Sequence, residues 1–388
     1  MARSLDLLPA SFGDFRRKAA KRLPRFLFDY IDGGSGAEVT LRRNTADWEA
    51  VQLTQKVLHD ATRLDCAVDL FGERLEMPLV LAPVGMGGMT ARRGEVQAKR
   101  AADKAGIPFC LSTVGICSLE EVGSVSDRPA WFQLYMLKDR AVVKEILDNA
   151  WALGVRTLAF TIDLNVLGTR YRDIRNGMAG GLGLWGKLRS GPIDFALHPR
   201  WAFDVGLFGR PHGLGNLTAY VKGGSHTRDF QRWVGAQFDS SVTWKDIEWL
   251  RSVWKGNLLL KGILDIEDAR QAVALGADGM VVSNHGGRQL DGVASTAVML
   301  PRIADAVGSE TVLLVDGGIR TGQDLVRALA LGARAALIGR PWAMAMAAGG
   351  EAALSRYLDL VRTDMRVAMA LSGVSTAGAI DRAIIFDA

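Results

Sequence analysis

Eight short apolar runs recur along the chain, and most are followed by an amphipathic stretch of helical length. They are MPLVLAP (Met77–Pro83), PFCLST (Pro108–Thr113), AWFQLY (Ala130–Tyr135), TLAFTID (Thr157–Asp163), LLLKGI (Leu258–Ile263), GMVVSNH (Gly279–His285), TVLLVDGG (Thr311–Gly318) and AALIGR (Ala335–Arg340). A strand that is apolar throughout has to be covered on both faces, which is the condition of a parallel sheet wrapped in helices. The segments between them, such as RGEVQAKRAADKAG, DIEDARQAVALG and GQDLVRALALG, close on glycine, the residue that best ends a helix. Eight such units predict an α/β fold, a TIM (β/α)8 barrel. The 388 residues then read as one domain over 1–388, with an N-terminal helical extension over 1–75 and a long loop after the fourth strand over 171–242.

A barrel of this kind carries its active site at the C-terminal ends of the strands. Ser112, Gln133, Tyr135, Asp163, Lys261, His285, Asp316 and Arg340 all end or directly follow a predicted strand. In SNHGGRQLDG, after the sixth strand, His285 is suited to act as a base near neutral pH and Arg288 to clamp a carboxylate through two hydrogen bonds. Asp163 at the end of the fourth strand can orient that imidazole, and Arg170 can share the anion with Arg288. Lys261 emerges from three leucines into the barrel mouth, where an unpaired ammonium would be costly, so a catalytic or cofactor-polarising role is expected. DGGIR (Asp316–Arg320) and GR (Gly339–Arg340) end the seventh and eighth strands, where barrels bind phosphate on backbone N–H groups and helix N-termini.

Composition narrows the class further. Cys66, Cys110 and Cys117 lack metal-ligand spacing and sit in apolar or mixed surroundings, which fits core positions in a reducing compartment. The beginning of the sequence has no continuous apolar core of a secretory signal, and no run of about 18 uncharged apolar residues occurs. Basic charge is concentrated between Arg170 and Trp233, with ten Lys or Arg against four Asp. GLGLWG (Gly181–Gly186) matches a dinucleotide fingerprint in letters, but a charged, glycine-broken segment precedes it where an apolar strand is required.

SNHGGRQLDG, with FQLY, TID…LGTRYRD, LKGI, DGGIR and IGRP in this order and spacing, resembles the FMN-dependent L-2-hydroxy acid oxidase and dehydrogenase family. The likeness runs from LPRFLFDYIDGGSG near residue 23 to MALSGV near 374, and it is greatest toward bacterial membrane-associated L-lactate dehydrogenases. The resemblance implies FMN as cofactor, with His285 as active-site base and Asp163 holding its ring. It assigns the substrate carboxylate to Arg288, Arg170 and the Tyr30 phenol, and the substrate hydroxyl or developing ketone oxygen to Tyr135. Lys261 would lie at the flavin's N1–C2 edge. Ser112, Gln133 and Thr161 would contact the isoalloxazine, and Ala82, Pro83 and Val84 would line its other face. Ser283 would belong to the same cofactor shell and Asp316 would meet the ribityl chain. Gly318, Arg320, Gly339 and Arg340 would hold the phosphate. Val114 and Leu167 would shape the pocket for the substrate's side chain, and Asn165 departs from the small residue or proline common in relatives.

Two features bear on the electron acceptor. Gly85, in APVGMGG, is the glycine that quinone-reducing relatives share, where oxygen-reactive ones typically have alanine. The segment after the fourth strand combines Trp185, Trp201, Phe203 and Phe208 with Lys187, Arg189, Arg200 and Arg210, the mixture of rings and positive charge that an anionic bilayer surface attracts. The expectation is therefore a peripheral enzyme on the cytoplasmic face of a bacterial inner membrane. The resemblance further implies that it would oxidise an L-2-hydroxy acid, L-lactate or a larger aryl acid, pass electrons to quinone, and assemble as a homotetramer. A packed lid or oligomer contact is the plainer reading of that segment. A soluble oxidase making hydrogen peroxide is the near alternative and a flavin-using barrel isomerase the remote one. A nucleic-acid module would not need chemistry-bearing residues at so many strand ends.

Overall fold

The computed structural model describes residues 8–178, 182–220 and 236–386. A short antiparallel hairpin, β1 (Val68–Leu70) and β2 (Glu73–Leu75), precedes eight parallel strands. These are β3 (Leu79–Leu81), β4 (Cys110–Ser112), β5 (Trp131–Leu134), β6 (Thr157–Thr161), β7 (Asn257–Ile263), β8 (Gly279–Val282), β9 (Val312–Val315) and β10 (Ala335–Ile338). From β4 onward each pairs with the next in the chain, and β10 returns to β3. The ring closes between β3 and β4 through one parallel bridge, Leu81 to Phe109, whose Leu81 N–H donates to Pro108 O at 3.0 Å.

The barrel strands lie inside the eight runs expected from sequence, apart from one extra residue at the start of β7. Their interiors are buried on both faces, as continuous apolar runs require. Phe71, at the hairpin turn, stacks on Trp131 at 5.9 Å, and a Cβ at Gly279 would lie 2.9 Å from its ring. Both partners begin barrel strands, so the hairpin plugs the N-terminal end and leaves the other end for chemistry. The outer helices open on side-chain caps: Asp139, Asp265, Ser295 and Thr321 each accept from backbone N–H groups of the first turn. Asp265 takes two, from Glu267 at 2.8 Å and Asp268 at 3.2 Å. Asp265→Ala is expected to cost about 0.5–2 kcal/mol, read as a lower urea midpoint with an unchanged slope.

The N-terminal extension consists of helices Phe12–Arg22, Arg25–Asp32 and Val39–Ala50. The first buries Phe15 against Tyr357 of the last helix, Arg340–Leu371, with ring centroids 5.4 Å apart. Cys66, Cys110 and Cys117 are buried free thiols.

The segment read as a loop over 171–242 is mostly short helical turns within its described part; 179–181 and 221–235 lie outside the described residues. Helical turns cover Tyr171–Asn176, Leu184–Leu188, Asp194–Leu197 and Pro199–Trp201, joined or followed by wider and tighter turns up to Tyr220. Trp185, Phe203 and Phe208 are exposed at 71%, 63% and 59%. Trp201 is not: it is buried, its indole donates to Met89 O at 2.8 Å, and its ring meets Phe26 and Phe195. Composition could not separate it from the other rings, because a tryptophan with one satisfied N–H packs inside as readily as outside.

Candidate active site

One cavity of about 1130 Å³ opens at the C-terminal end of the barrel. It slightly exceeds the roughly 300–1,000 Å³ typical of small-ligand pockets, enough for a cofactor and a small acid together. Tyr30, Ala82, Pro83, Val84, Val114, Tyr135, Thr161, Leu167, Arg170, Lys261, His285, Arg288, Asp316, Gly318, Arg320, Gly339 and Arg340 all line it. Asp163, Ser112, Gln133 and Ser283 sit behind that lining, bonded to it or to one another.

His285 follows β8 in the left-handed backbone region, with φ +57°, and Gly286 and Gly287 continue there at +63° and +74°. Histidine tolerates this region better than most side chains, and such strain is typical of functional sites. The turn is held by its own donors. The His285 N–H bonds Ser283 Oγ at 3.0 Å, and Asn284 and Asn44 exchange amide bonds at 2.8 Å. A Cβ on Gly287 would lie 2.6 Å from Leu41 N, so the N-terminal extension presses directly on this loop.

His285 Nδ1 lies 2.8 Å from Asp163 Oδ1. Burial depresses the imidazole's pKa below its ordinary value despite the nearby carboxylate. Burial opposes the charge of Asp163, but His285 and Lys261 outweigh it and hold its pKa low. A neutral ring donating Nδ1–H to an ionised carboxylate leaves the Nε2 lone pair free for a proton. Gly262, at φ +117° in an irregular part of β7, makes room for this carboxylate: a Cβ there would lie 2.6 Å from Asp163 Cβ.

The neutral form is the one able to take a proton, so a reaction that uses this ring is expected to lose kcat/KM as pH drops through its depressed pKa. Asp163→Asn removes the charge that supports the imidazolium. It should move this acid limb to still lower pH and reduce the plateau at least about tenfold; an unmoved limb would separate Asp163 from His285.

Lys261 is buried, with Nζ 2.8 Å from Asp316 Oδ2 and 3.1 Å from Ser283 Oγ. Desolvation disfavours the ammonium, yet Asp316 and Asp163 more than offset it and raise its pKa. Ser283 Oγ also bonds Asp316 Oδ1 at 2.6 Å, so both Asp316 oxygens are engaged by protein. Ser112 Oγ donates to Gln133 Oε1 at 2.8 Å, while Gln133 Nε2 is buried with no partner among the described residues.

Arg288 packs its guanidinium 4.8 Å from the Tyr30 ring and donates to Tyr30 O and Gly33 O. Burial and the nearby Arg170 push its pKa down to about 10, which leaves it cationic at neutral pH. Arg320 and Arg340 are depressed as well, first by burial; Arg340 also feels Arg288 and Arg320. Arg340 donates to Ile31 O, Asp32 O, Gly33 O and Gly286 O, so it anchors the N-terminal extension to the turn after β8. Gly318 owes its identity to packing: a Cβ would lie 2.2 Å from Asn44 O and 2.4 Å from Trp48 Cδ1. Leu167 is 68% exposed at the cavity mouth, whereas Val114 is partly buried beside Gly85.

Several positions escaped the sequence reading. Glu95 is buried and accepts from the N–H groups of Ile116 and Cys117 at 3.0 and 3.3 Å, bracing the wall after β4. Thr113 Oγ1 bonds Gln133 O at 2.6 Å, and the Tyr135 N–H reaches it at 3.3 Å. Asn284 was legible only as a neighbour of His285, since its partner Asn44 is 240 residues away.

Comparison with known proteins decides the class. A profile described as FMN-dependent dehydrogenase matches residues 19–387. The chain belongs to that family. Among its relatives, the L-lactate dehydrogenase of Azorhizobium caulinodans is 53% identical over 97% of this chain and 98% of its own length. The L-lactate dehydrogenase of Stenotrophomonas maltophilia is 55% identical over 95% and 96%. Among solved structures, a monotopic membrane protein, (S)-mandelate dehydrogenase, superposes with TM-score 0.91 at 33% identity, covering 98% of this chain and 100% of that one. A mandelate oxidase superposes at 0.81 with 36% identity over 96% and 97%.

The cavity of this FMN-dependent dehydrogenase fits its cofactor. Clustered buried arginines call for an anion, and the helix that starts after Gly339 presents its N-terminus beside them. The unpartnered Gln133 amide and the buried Lys261 ammonium supply donors for a polar ring edge.

Proposed function

We propose that this enzyme oxidises an L-2-hydroxy acid, L-lactate first, to the 2-oxo acid, and that quinone is its electron acceptor. It would do so as a peripheral homotetramer on the cytoplasmic face of a bacterial inner membrane. The observation that carries the reading is the convergence of His285, backed by Asp163 at 2.8 Å, with Arg288, Arg170, Tyr30 and Tyr135 around one cavity.

Oxidising a 2-hydroxy acid removes two electrons and two protons, and FMN supplies the two-electron acceptor. Ala82, Pro83, Val84, Ser112, Gln133, Thr161, Lys261 and Ser283 would hold its ring system. Asp316 would face its ribityl chain, and Gly318, Arg320, Gly339 and the helix beginning at Arg340 its phosphate. Arg288 and Arg170 bind the substrate carboxylate as a charge-assisted pair, which fixes the position of the α-carbon. The phenols of Tyr30 and Tyr135 orient the acid. Burial raises the Tyr135 pKa, so its O–H stays in place as a donor toward the substrate oxygen. His285 takes a proton on Nε2, and Asp163 stabilises the imidazolium as it forms.

The relatives named L-lactate dehydrogenase favour a small acid with Val114 against its side chain. The 0.91 superposition on (S)-mandelate dehydrogenase favours a second reading, an aryl 2-hydroxy acid extending past Leu167. Gly85 and the exposed Trp185, Phe203 and Phe208 support the acceptor and the membrane. A Cβ at Gly85 would lie 2.9 Å from both Tyr30 Oη and Val114 Cγ2, so alanine would crowd the substrate face.

Anaerobic bleaching of the bound flavin by L-lactate, glycolate, (S)-mandelate and long-chain acids tests substrate and cofactor together, with L-lactate expected to be fastest. A faster reaction with mandelate would select the aryl reading. Stoichiometric peroxide at every turnover in air would replace quinone with oxygen. Sedimentation of the holoenzyme checks the tetramer.

A further inference from the structure

Gln289 follows Arg288 on the turn after β8, and its whole amide is engaged by the loop after β6. Its Nε2 donates to Asp163 O at 2.6 Å and to Val166 O at 2.8 Å, while its Oε1 accepts from the Gly168 N–H at 3.2 Å. Two donated bonds and one accepted bond fix which end of the amide faces which partner, since a flipped amide would set its oxygen against two carbonyls. The loop 163–168 contains no helix or strand, so this one side chain straps both of its ends. Packing ties it to the same turn: a Cβ at Gly168 would lie 2.4 Å from Arg288 O and 2.8 Å from Gln289 Cα.

Leu164, Asn165, Val166 and Leu167 line the cavity that Arg288 also lines, and Val166 is exposed at 72%, much as Leu167 is. A loop so exposed draws little support from core packing, so its place depends on those polar ties. Resting on the reading that Arg288 holds the carboxylate of a 2-hydroxy acid, we propose that Gln289 is a positioning residue that sets the span between this anchor and the wall met by the acid's side chain. One turn then governs both ends of the substrate: Arg288 meets the carboxylate, and Gln289 holds the wall for the tail. A longer tail has more to gain from that wall than the methyl of L-lactate, so Gln289 acts on the choice among acids. It does so through the loop, without touching the reacting atoms.

The test compares holoenzymes of matched flavin content in anaerobic flavin reduction by L-lactate and by L-2-hydroxyhexanoate, which differ only in the tail. In Gln289→Leu, the second-order rate constant for the hexanoate should fall about tenfold further than that for L-lactate, the contact of roughly two methylenes. The difference should lie in the half-saturating concentration, because the reacting atoms of the two acids are the same. Gln289→Glu sets an ionised carboxylate against two carbonyls, so it should shift the ratio as far at about pH 8 and recover about threefold at about pH 5.5, where the protonated acid can donate again. The charge of His285 affects both acids alike and cancels in the ratio. Gly168→Ala wedges the loop away from Arg288 O from the opposite side, and should move the ratio in the same direction as Gln289→Leu. Equal losses for the two acids, or an unchanged ratio in both Gln289→Leu and Gly168→Ala, overturn the proposal and leave the reading of the reaction standing. A wild-type flavin that no 2-hydroxy acid reduces overturns both.

Discussion

Replacing His285 with asparagine is expected to lower kcat by about 10²–10⁴-fold, the usual contribution of a positioned base. Flavin content and melting temperature should stay close to wild type. Asparagine is the informative choice because the position has φ +57°, a region that asparagine and histidine tolerate and most residues do not. Its amide can still donate to Asp163, so the buried carboxylate keeps a partner. His285→Val would confound the result, since a β-branched side chain there adds about 1–3 kcal/mol of backbone strain to the loss of the base. Stopped-flow reduction by L-lactate measures the step directly. A drop of less than about tenfold, with substrate affinity intact, would move the proton to another group on the cavity wall.

The second large effect is on Lys261. Lys261→Met removes one member of an ion pair whose side chains are 6% and 10% exposed, leaving Asp316 with Ser283 as its remaining contact in the pair's network. Breaking a buried pair from one side costs about 3–5 kcal/mol, because the surviving charge is uncompensated. Urea unfolding should show that loss, and Lys261→Met combined with Asp316→Asn should recover most of it. The same single variant should lower the midpoint potential of the bound flavin, since a cation near the ring favours the electron-rich form. Stability lost without a change in potential would place Lys261 as a purely structural ion and remove it from the cofactor's surroundings.

The barrel was legible because its strands are buried on both sides, which turns each into a continuous apolar word such as LVL or VLLV. Strand ends were overestimated where the chain leaves the sheet with its functional residues, as at Asp163, His285 and Gly318. Those positions are extended or turned for chemistry rather than pairing. The cavity-lining residues were legible because position on the catalytic end and ordered motifs pointed to the same side chains. What sequence did not show was how these side chains are held. Glu95, Asn284 with Asn44, and Arg340 with its four carbonyls act across long separations in the chain and leave no local pattern. Trp201 failed for the opposite reason: its neighbours in sequence are exposed, and one indole hydrogen bond turns it inward.

The ring of strands has an uneven circumference. Between β3 and β4 it is joined by a single bridge, whereas β6 and β7 pair over five residues. That seam has the fewest ladder bonds, and its loops make up for them: the Met86 N–H donates to Val114 O at 2.9 Å, and Glu95 accepts from the N–H groups of Ile116 and Cys117. The loops that leave those two strands carry Val84, Gly85 and Val114, which face the cavity. Anything bound across them bridges the two lips of the seam and is lost when they part. A ligand that binds only the closed ring adds its binding energy to that closure, so proteolysis along this edge is expected to be slower in the flavin-loaded protein than in the flavin-free one.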